Sequence, residues 1–256
     1  MHPSNTGNPW NAGLAYKSTV LTPIIDAGPL LDAIKATQSV ARPDNLIEMV
    51  TIDKGPKAIE NRFNKMQAAP FILSKARSIQ SNGSKALIIN CMADPCLDAT
   101  RELLDIPVLG AGITALHIAS MISVRFSILV PLHCNISMMH EQVRTCGLED
   151  HVASIIAIGQ PVWQFESLME ETEAQIIRAI NEAVKADGAE AIVLGCTGMA
   201  GLSEKINSAL EETGISIPII DPGKAAVKIG EVLVDLNLTH SKRRFPTPPD
   251  KLVKGY

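Results

Sequence analysis

Short apolar runs alternate along this chain with longer stretches in which apolar residues recur every three to four positions. The short runs are rich in β-branched residues and hydrophobic at nearly every position, the pattern of strands buried on both faces of a parallel sheet. They predict strands at Ser18–Leu21, Leu46–Ile52, Ala86–Ile89, Val108–Leu109, Phe126–Val130, Ser154–Ile158, Ala191–Leu194 and Ile217–Ile220. Helical spacing falls between them, over Ala99–Leu104, Ala115–Met121, Ser137–Cys146, Ser167–Ala186 and Gly223–Leu236. Strand and helix in alternation imply an α/β fold with right-handed crossovers. In such folds ligands gather at the C-terminal ends of the strands.

An internal echo sharpens the picture. Ala86-Leu-Ile-Ile-Asn-Cys91 parallels Ala191-Ile-Val-Leu-Gly-Cys196: a short apolar strand, one small or polar residue, then Cys. Downstream, Ile106-Pro-Val-Leu-Gly110 parallels Ile217-Pro-Ile-Ile-Asp221, each followed by a glycine (Gly112, Gly223) and an Ala-rich helix. Two related halves predict two pseudo-symmetric lobes, each a parallel sheet flanked by helices, with the site in the cleft between them. One lobe is expected to hold residues 18–115 and 223–240, the other 116–222. Residues 1–17, polar and Gly/Asn-rich, read as a flexible N-terminal extension. Residues 241–256 form a tail whose prolines stop the last helix. No solenoid or propeller period is present.

Composition narrows the function classes. The 256 residues are 46% hydrophobic and 20% charged, enough to bury a large core. A net charge of −4 argues against nucleic acid as a partner. No run approaches the length of a membrane span, and the start lacks a signal-peptide pattern. Five cysteines, an odd number, read as free thiols in a reducing cytoplasm. The six histidines show no metal-ligand spacing, and no metal is expected. His117 reads as a core residue of an apolar helix, and Lys242-Arg243-Arg244 as solvated charge. Gly110-Ala-Gly112 lacks the third glycine and the acidic residue of a dinucleotide turn.

The chemistry then rests on two thiols. A Cys between a strand and the following helix meets unpaired N–H groups, which favour the thiolate and lower its pKa. After Cys91, Asp94 is placed to cap the next helix and Pro95 to begin it. After Cys196, Thr197 and Gly198 offer an N–H-rich turn able to hold an enolate oxygen. Racemisation beside a carbonyl needs a base on one face of the carbon and an acid on the other. Two equivalent thiols from two equivalent halves meet that need, with no cofactor. Of the other cysteines, Cys96 falls on the helix after Cys91, Cys134 follows a strand near the site mouth, and Cys146 closes a helix before Gly147.

At these residues the sequence resembles the aspartate/glutamate/hydantoin racemase superfamily, and most of all its hydantoin and allantoin racemase branch. The resemblance is carried by Ala86–Leu103 around Cys91 and by Asp187–Ala200 around Cys196. Gly55-Pro-Lys-Ala-Ile-Glu60, Ile106–Gly112, Arg125-Phe-Ser127 and Ser241-Lys-Arg support it. It implies two pseudo-symmetric α/β lobes, Cys91 and Cys196 as catalytic residues, no cofactor, a small-molecule substrate and a homo-oligomer. Substrate contacts would come from Met92, Ala93, Thr197 and Gly198, with Gly112, Thr114 and Thr22 lining the pocket. Three positions depart from the family pattern: Leu21-Thr-Pro-Ile-Ile-Asp26 lacks the asparagines usual there, Cys96 replaces a usual Gly, and Pro131 a frequent Thr. Nothing cationic adjoins either Cys motif, although Lys57 or Arg62 could reach in from a loop. That favours a 5-substituted hydantoin or allantoin over an aspartate- or glutamate-type amino acid. A ligand-binding protein without catalysis is the alternative of a different class.

Overall fold

The computed structural model describes residues 16–26, 28, 31–165, 169–200, 202–212 and 214–249. Residues 1–15 of the N-terminal extension and 250–256 of the tail lie outside them. All eight strands expected from the sequence are present: β1 (Tyr16–Thr22), β2 (Asn45–Thr51), β3 (Ala86–Ile89), β4 (Val108–Gly110), β5 (Phe126–Val130), β6 (Val152–Ala157), β7 (Ala191–Leu194) and β8 (Ile219–Ile220). They form two four-stranded parallel sheets with the same strand order, β2-β1-β3-β4 and β6-β5-β7-β8.

The symmetry reaches individual hydrogen bonds. Leu87 N donates to Pro107 O at 2.9 Å, and Ile192 N to Pro218 O at 2.9 Å. Lys85 N donates to Lys17 O (2.7 Å) as Glu190 N does to Arg125 O (2.8 Å). Asn90 N donates to Leu21 O (2.9 Å) as Gly195 N does to Leu129 O (2.7 Å). The third strand of each sheet is therefore stopped in the same way, and the residue after the stop is Cys91 in one half and Cys196 in the other. Gly195 is tightly held there: a Cβ on it would stand 2.4 Å from Leu129 O.

The helices are α1 (Leu31–Ser39), α2 (Arg62–Ser81), α3 (Leu97–Leu103), α4 (Ala111–Ile122), α5 (His133–Cys146), α6 (Met169–Lys185), α7 (Ser203–Glu212) and α8 (Pro222–Asp235). The last strand of each sheet feeds a helix that packs away from its own sheet. From β4, α4 crosses to bury Ala115, Leu116 and Ala119 among Phe126, Ile128 and Val193 of the second sheet. From β8, α8 crosses to bury Ala226 and Val227 against Val20, Ile88 and Leu109 of the first. The crossed pair α4–α8 thus closes the molecule with apolar surface from both halves. Each fully buried branched side chain contributes roughly 1.5–3 kcal/mol to that closure.

Two sequence expectations are corrected. His117 is exposed on α4, because the buried stripe of that helix runs through Ala115, Leu116 and Ala119. Lys242 is not simply solvated: its ammonium donates to the carbonyls of Arg101 (3.3 Å), Glu102 (3.1 Å) and Leu104 (2.7 Å), the unpaired end of α3. Beside it, Val108 N donates to His240 Nε2 at 2.8 Å. Burial, with the Arg101 charge adding to it, pushes the His240 pKa down to about 4, so the ring stays neutral and can accept. The first residues of the tail therefore strap β4 and α3.

Candidate active site

Cys91 and Cys196 face one cleft. An outer cavity of about 70 Å³ is lined by Thr22, Ile24, Asn90, Trp163 and Thr197 among others, and includes both thiols. An inner one of about 50 Å³ adds Glu60, Met92 and Ala93, and is again lined by both thiols. The two loops touch, since Thr197 Oγ1 donates to Asn90 O at 3.2 Å. Of the residues singled out in the sequence, Thr22, Met92, Ala93, Thr197 and Gly198 line this cleft together with the two cysteines. Lys57 lines its outer part, while Arg62 is held outside by Glu141 (2.6 Å).

Gly112 and Thr114 stand elsewhere. Gly112 is packed behind the Cys91 loop, where a Cβ would meet Met92 O at 2.1 Å, and Thr114 lines a separate groove with Arg101 and His117. Sequence reasoning passed over Asn90, Ile59, Glu60, Val162 and Trp163 as site residues. Asn90 could have been found from its place beside Cys91, and Glu60 from the Gly55–Glu60 run.

The expected helix-terminus activation of the thiols is outweighed by burial. α3 begins at Leu97, six residues after Cys91, with Cys96 as its N-cap in a left-handed conformation (φ 58°). Cys196 is followed by a single 3₁₀ turn, Thr197–Met199. Desolvation dominates instead and pushes Cys91 up to about 12, opposed by a backbone N–H from Ala93. It pushes Cys196 up to about 11, opposed first by the Gly198 N–H, 3.3 Å from Sγ. Burial therefore favours the protonated thiols in the free protein.

Asp94 also departs from its expected role. It does not cap the helix that follows it; it caps α4. Its Oδ1 accepts from Gly112 N (2.9 Å), and its Oδ2 from Ile113 N (2.6 Å) and Gln142 Nε2 (2.8 Å). In the other half, Asp221 caps α8 with its own side chain, accepting from Gly223 N and Lys224 N. Gly110 holds the equivalent place before α4 and has no side chain; a Cβ there would stand 2.4 Å from Asp94 Oδ1. The Cys91 loop thus lends its carboxylate across to α4, which fixes the loop. Desolvation pushes this carboxyl up to about 7 against the pull of those N–H donors. Asp94→Asn turns one acceptor oxygen into a donor among three converging donors. The expected cost is about 1–3 kcal/mol, read as a lowered midpoint of thermal unfolding at pH 8.

Among the described residues, no group of three or more His, Cys, Asp and Glu side chains is placed to hold a metal ion. No helix among them is long and apolar enough to cross a membrane.

Known proteins resemble this chain in sequence and fold. The family model for Asp/Glu/Hydantoin racemase matches residues 32–230. A hydantoin racemase of Paenarthrobacter aurescens is 34% identical, over 84% of this chain and 90% of its own. An allantoin racemase from Klebsiella pneumoniae superposes with a TM-score of 0.86 at 33% identity, covering 94% of this chain and 97% of that one. The allantoin racemase from Pseudomonas fluorescens gives a TM-score of 0.87 at 29% identity, over 93% and 100%. A family match over most of the length, with relatives this similar covered nearly end to end, establishes that the chain belongs to the Asp/Glu/hydantoin racemase family and is an isomerase.

Proposed function

We propose that the protein racemises a cyclic ureide, a 5-substituted hydantoin or allantoin, with Cys91 and Cys196 as the two proton-transfer groups. The observation that carries this reading is the placement of both thiols, one from the end of β3 and one from the end of β7, on the same two small cavities. One thiolate takes the proton from the carbon beside the ring carbonyl, the opposite thiol returns one, and the roles exchange for the other enantiomer. The N–H groups of Ala93 and Gly198 that face the sulfurs stabilise whichever is ionised. The step uses no group beyond these side chains and the amides around them.

The substrate class is supported by the named relatives, hydantoin and allantoin racemases. Lys57 in the outer cavity is the feature that favours an amino acid bearing a carboxylate instead. The test is incubation in D2O with single enantiomers of 5-substituted hydantoins, allantoin, aspartate and glutamate, followed by proton NMR. Loss of the signal at the reacting carbon together with inversion is expected for the ureides. Uptake on aspartate or glutamate alone would replace the substrate class, and folded protein without uptake on any member would favour a binding role.

A further inference from the structure

A residue of the inner cavity's wall carries an acceptor that no described residue uses. Glu60 ends the loop from β2, one residue before Asn61 caps α2, and its backbone is fixed by Asn135 Nδ2, which donates to Glu60 O at 2.7 Å. Glu60 lines the inner cavity with Cys91 and Cys196, and its Oε1 is buried with no hydrogen-bond partner among the described residues. Among the described residues lining that cavity there is no Lys, Arg or His to serve it, and much of the remaining wall is apolar, including Ile59, Pro131 and Met138. A carboxylate oxygen buried without a donor costs free energy, which a donor supplied by the cavity's occupant recovers.

Resting on the two-thiol ureide reading, we infer that the Glu60 carboxylate accepts the ring N–H on the nitrogen bonded to the reacting carbon, and so selects substrates that carry that N–H. The geometry limits the choice. The two thiols must flank the reacting carbon, and Glu60 shares their cavity, so the substituents of that carbon are the groups nearest to it. Of these, the ring nitrogen brings the donor. A site built around a substrate N–H discriminates strongly against an analogue without it, because the buried acceptor is then left unpaired. The Glu60 charge also opposes ionisation of Cys196, which ties the same residue to the acid/base chemistry.

The test compares a 5-substituted hydantoin with its N1-methyl and N3-methyl derivatives, in wild type and in Glu60→Ala, by exchange of the proton on C5. N1-methylation is expected to lower kcat/KM by roughly 10- to 100-fold in wild type, the range of a lost charge-assisted hydrogen bond. In Glu60→Ala, which vacates the space, that penalty should shrink to within about threefold by the same account. N3-methylation should cost the same in both proteins. Glu60→Gln supplies a second readout that a merely structural role would not move. Removing the charge beside Cys196 shifts the pH profile of kcat/KM to lower pH.

An equal N1-methyl penalty in wild type and Glu60→Ala, or a penalty confined to N3, overturns the assignment while leaving the ureide reading intact. Should Glu60→Ala fail to fold, an unmoved pH profile in Glu60→Gln overturns it. A wild type that exchanges no hydantoin removes the ureide reading, and this inference with it.

Discussion

Cys91→Ser is expected to lose inversion of both enantiomers by at least about 10³-fold, within the range that one positioned acid/base group contributes, yet to keep proton exchange on one of them. A serine hydroxyl ionises far less readily than a thiol, so on the two-thiol proposal the face assigned to Cys91 loses its base. Cys196 still lines the cleft, and the two-thiol proposal assigns it the opposite face of the reacting carbon. It can still take the proton from the enantiomer that presents its hydrogen there. The proton bound to sulfur then exchanges with D2O, and deuterium returns to the same face. The product is labelled but not inverted. Cys196→Ser should give the mirror image, labelling only the other enantiomer. Proton NMR for label and chiral chromatography for configuration separate the two events. Labelling of the same enantiomer by both variants would show that one thiol does all the proton transfer, and inversion within tenfold of wild type in either would remove that cysteine from the mechanism.

Such a sharp expectation is possible because the sequence is informative where structure is local. Runs such as Ala86–Ile89 and Ala191–Leu194 are apolar throughout, and both proved to be central strands buried on all residues. Their echo sets a cysteine two residues beyond each strand, and both cysteines line the same cavities. What stayed hidden was made by tertiary contact or by a weak pattern. Helix α2 buries a narrow stripe, Ala68, Ile72, Ala76 and Ile79, and carries Pro70 in its interior, which reads as a helix breaker. The proline leaves the carbonyl of Met66, four residues back, without its helical donor, on a stretch of the helix where Met66 is 71% exposed. Asp94 sits in the local pattern of a cap for the helix after it. The missing side chain at Gly110, on another strand, draws its carboxylate to α4 instead. Glu60 comes from a loop that no periodicity marks, and it lines the inner cavity where Asn135 of α5 holds that loop's backbone.

The thiols' environment sets the second large expectation, a steep rise of kcat/KM with pH. The helix-terminus argument alone would give a thiolate near neutrality and a flat profile above pH 7. The structure reverses the sign. Desolvation holds Cys91 up at about 12 and Cys196 up at about 11, and the N–H groups of Ala93 and Gly198 offset only part of it. In the proposed two-thiol mechanism one thiol is ionised to act as base while the other keeps its proton. Below both values the singly ionised form is scarce, and its fraction grows tenfold per pH unit. Between pH 7 and pH 9 kcat/KM should therefore climb about 100-fold, with no falling limb in that window, because the second thiol ionises still later. The second ionisation is delayed further by the first, since each negative sulfur opposes the other across the cleft. Initial rates of deuterium exchange at C5, taken at low substrate across that range in buffers of constant ionic strength, measure the slope. A plateau beginning near pH 7 would mean that the working thiolate is far better stabilised than these amides and this burial allow. The substrate-free cleft would then not be the state that ionises.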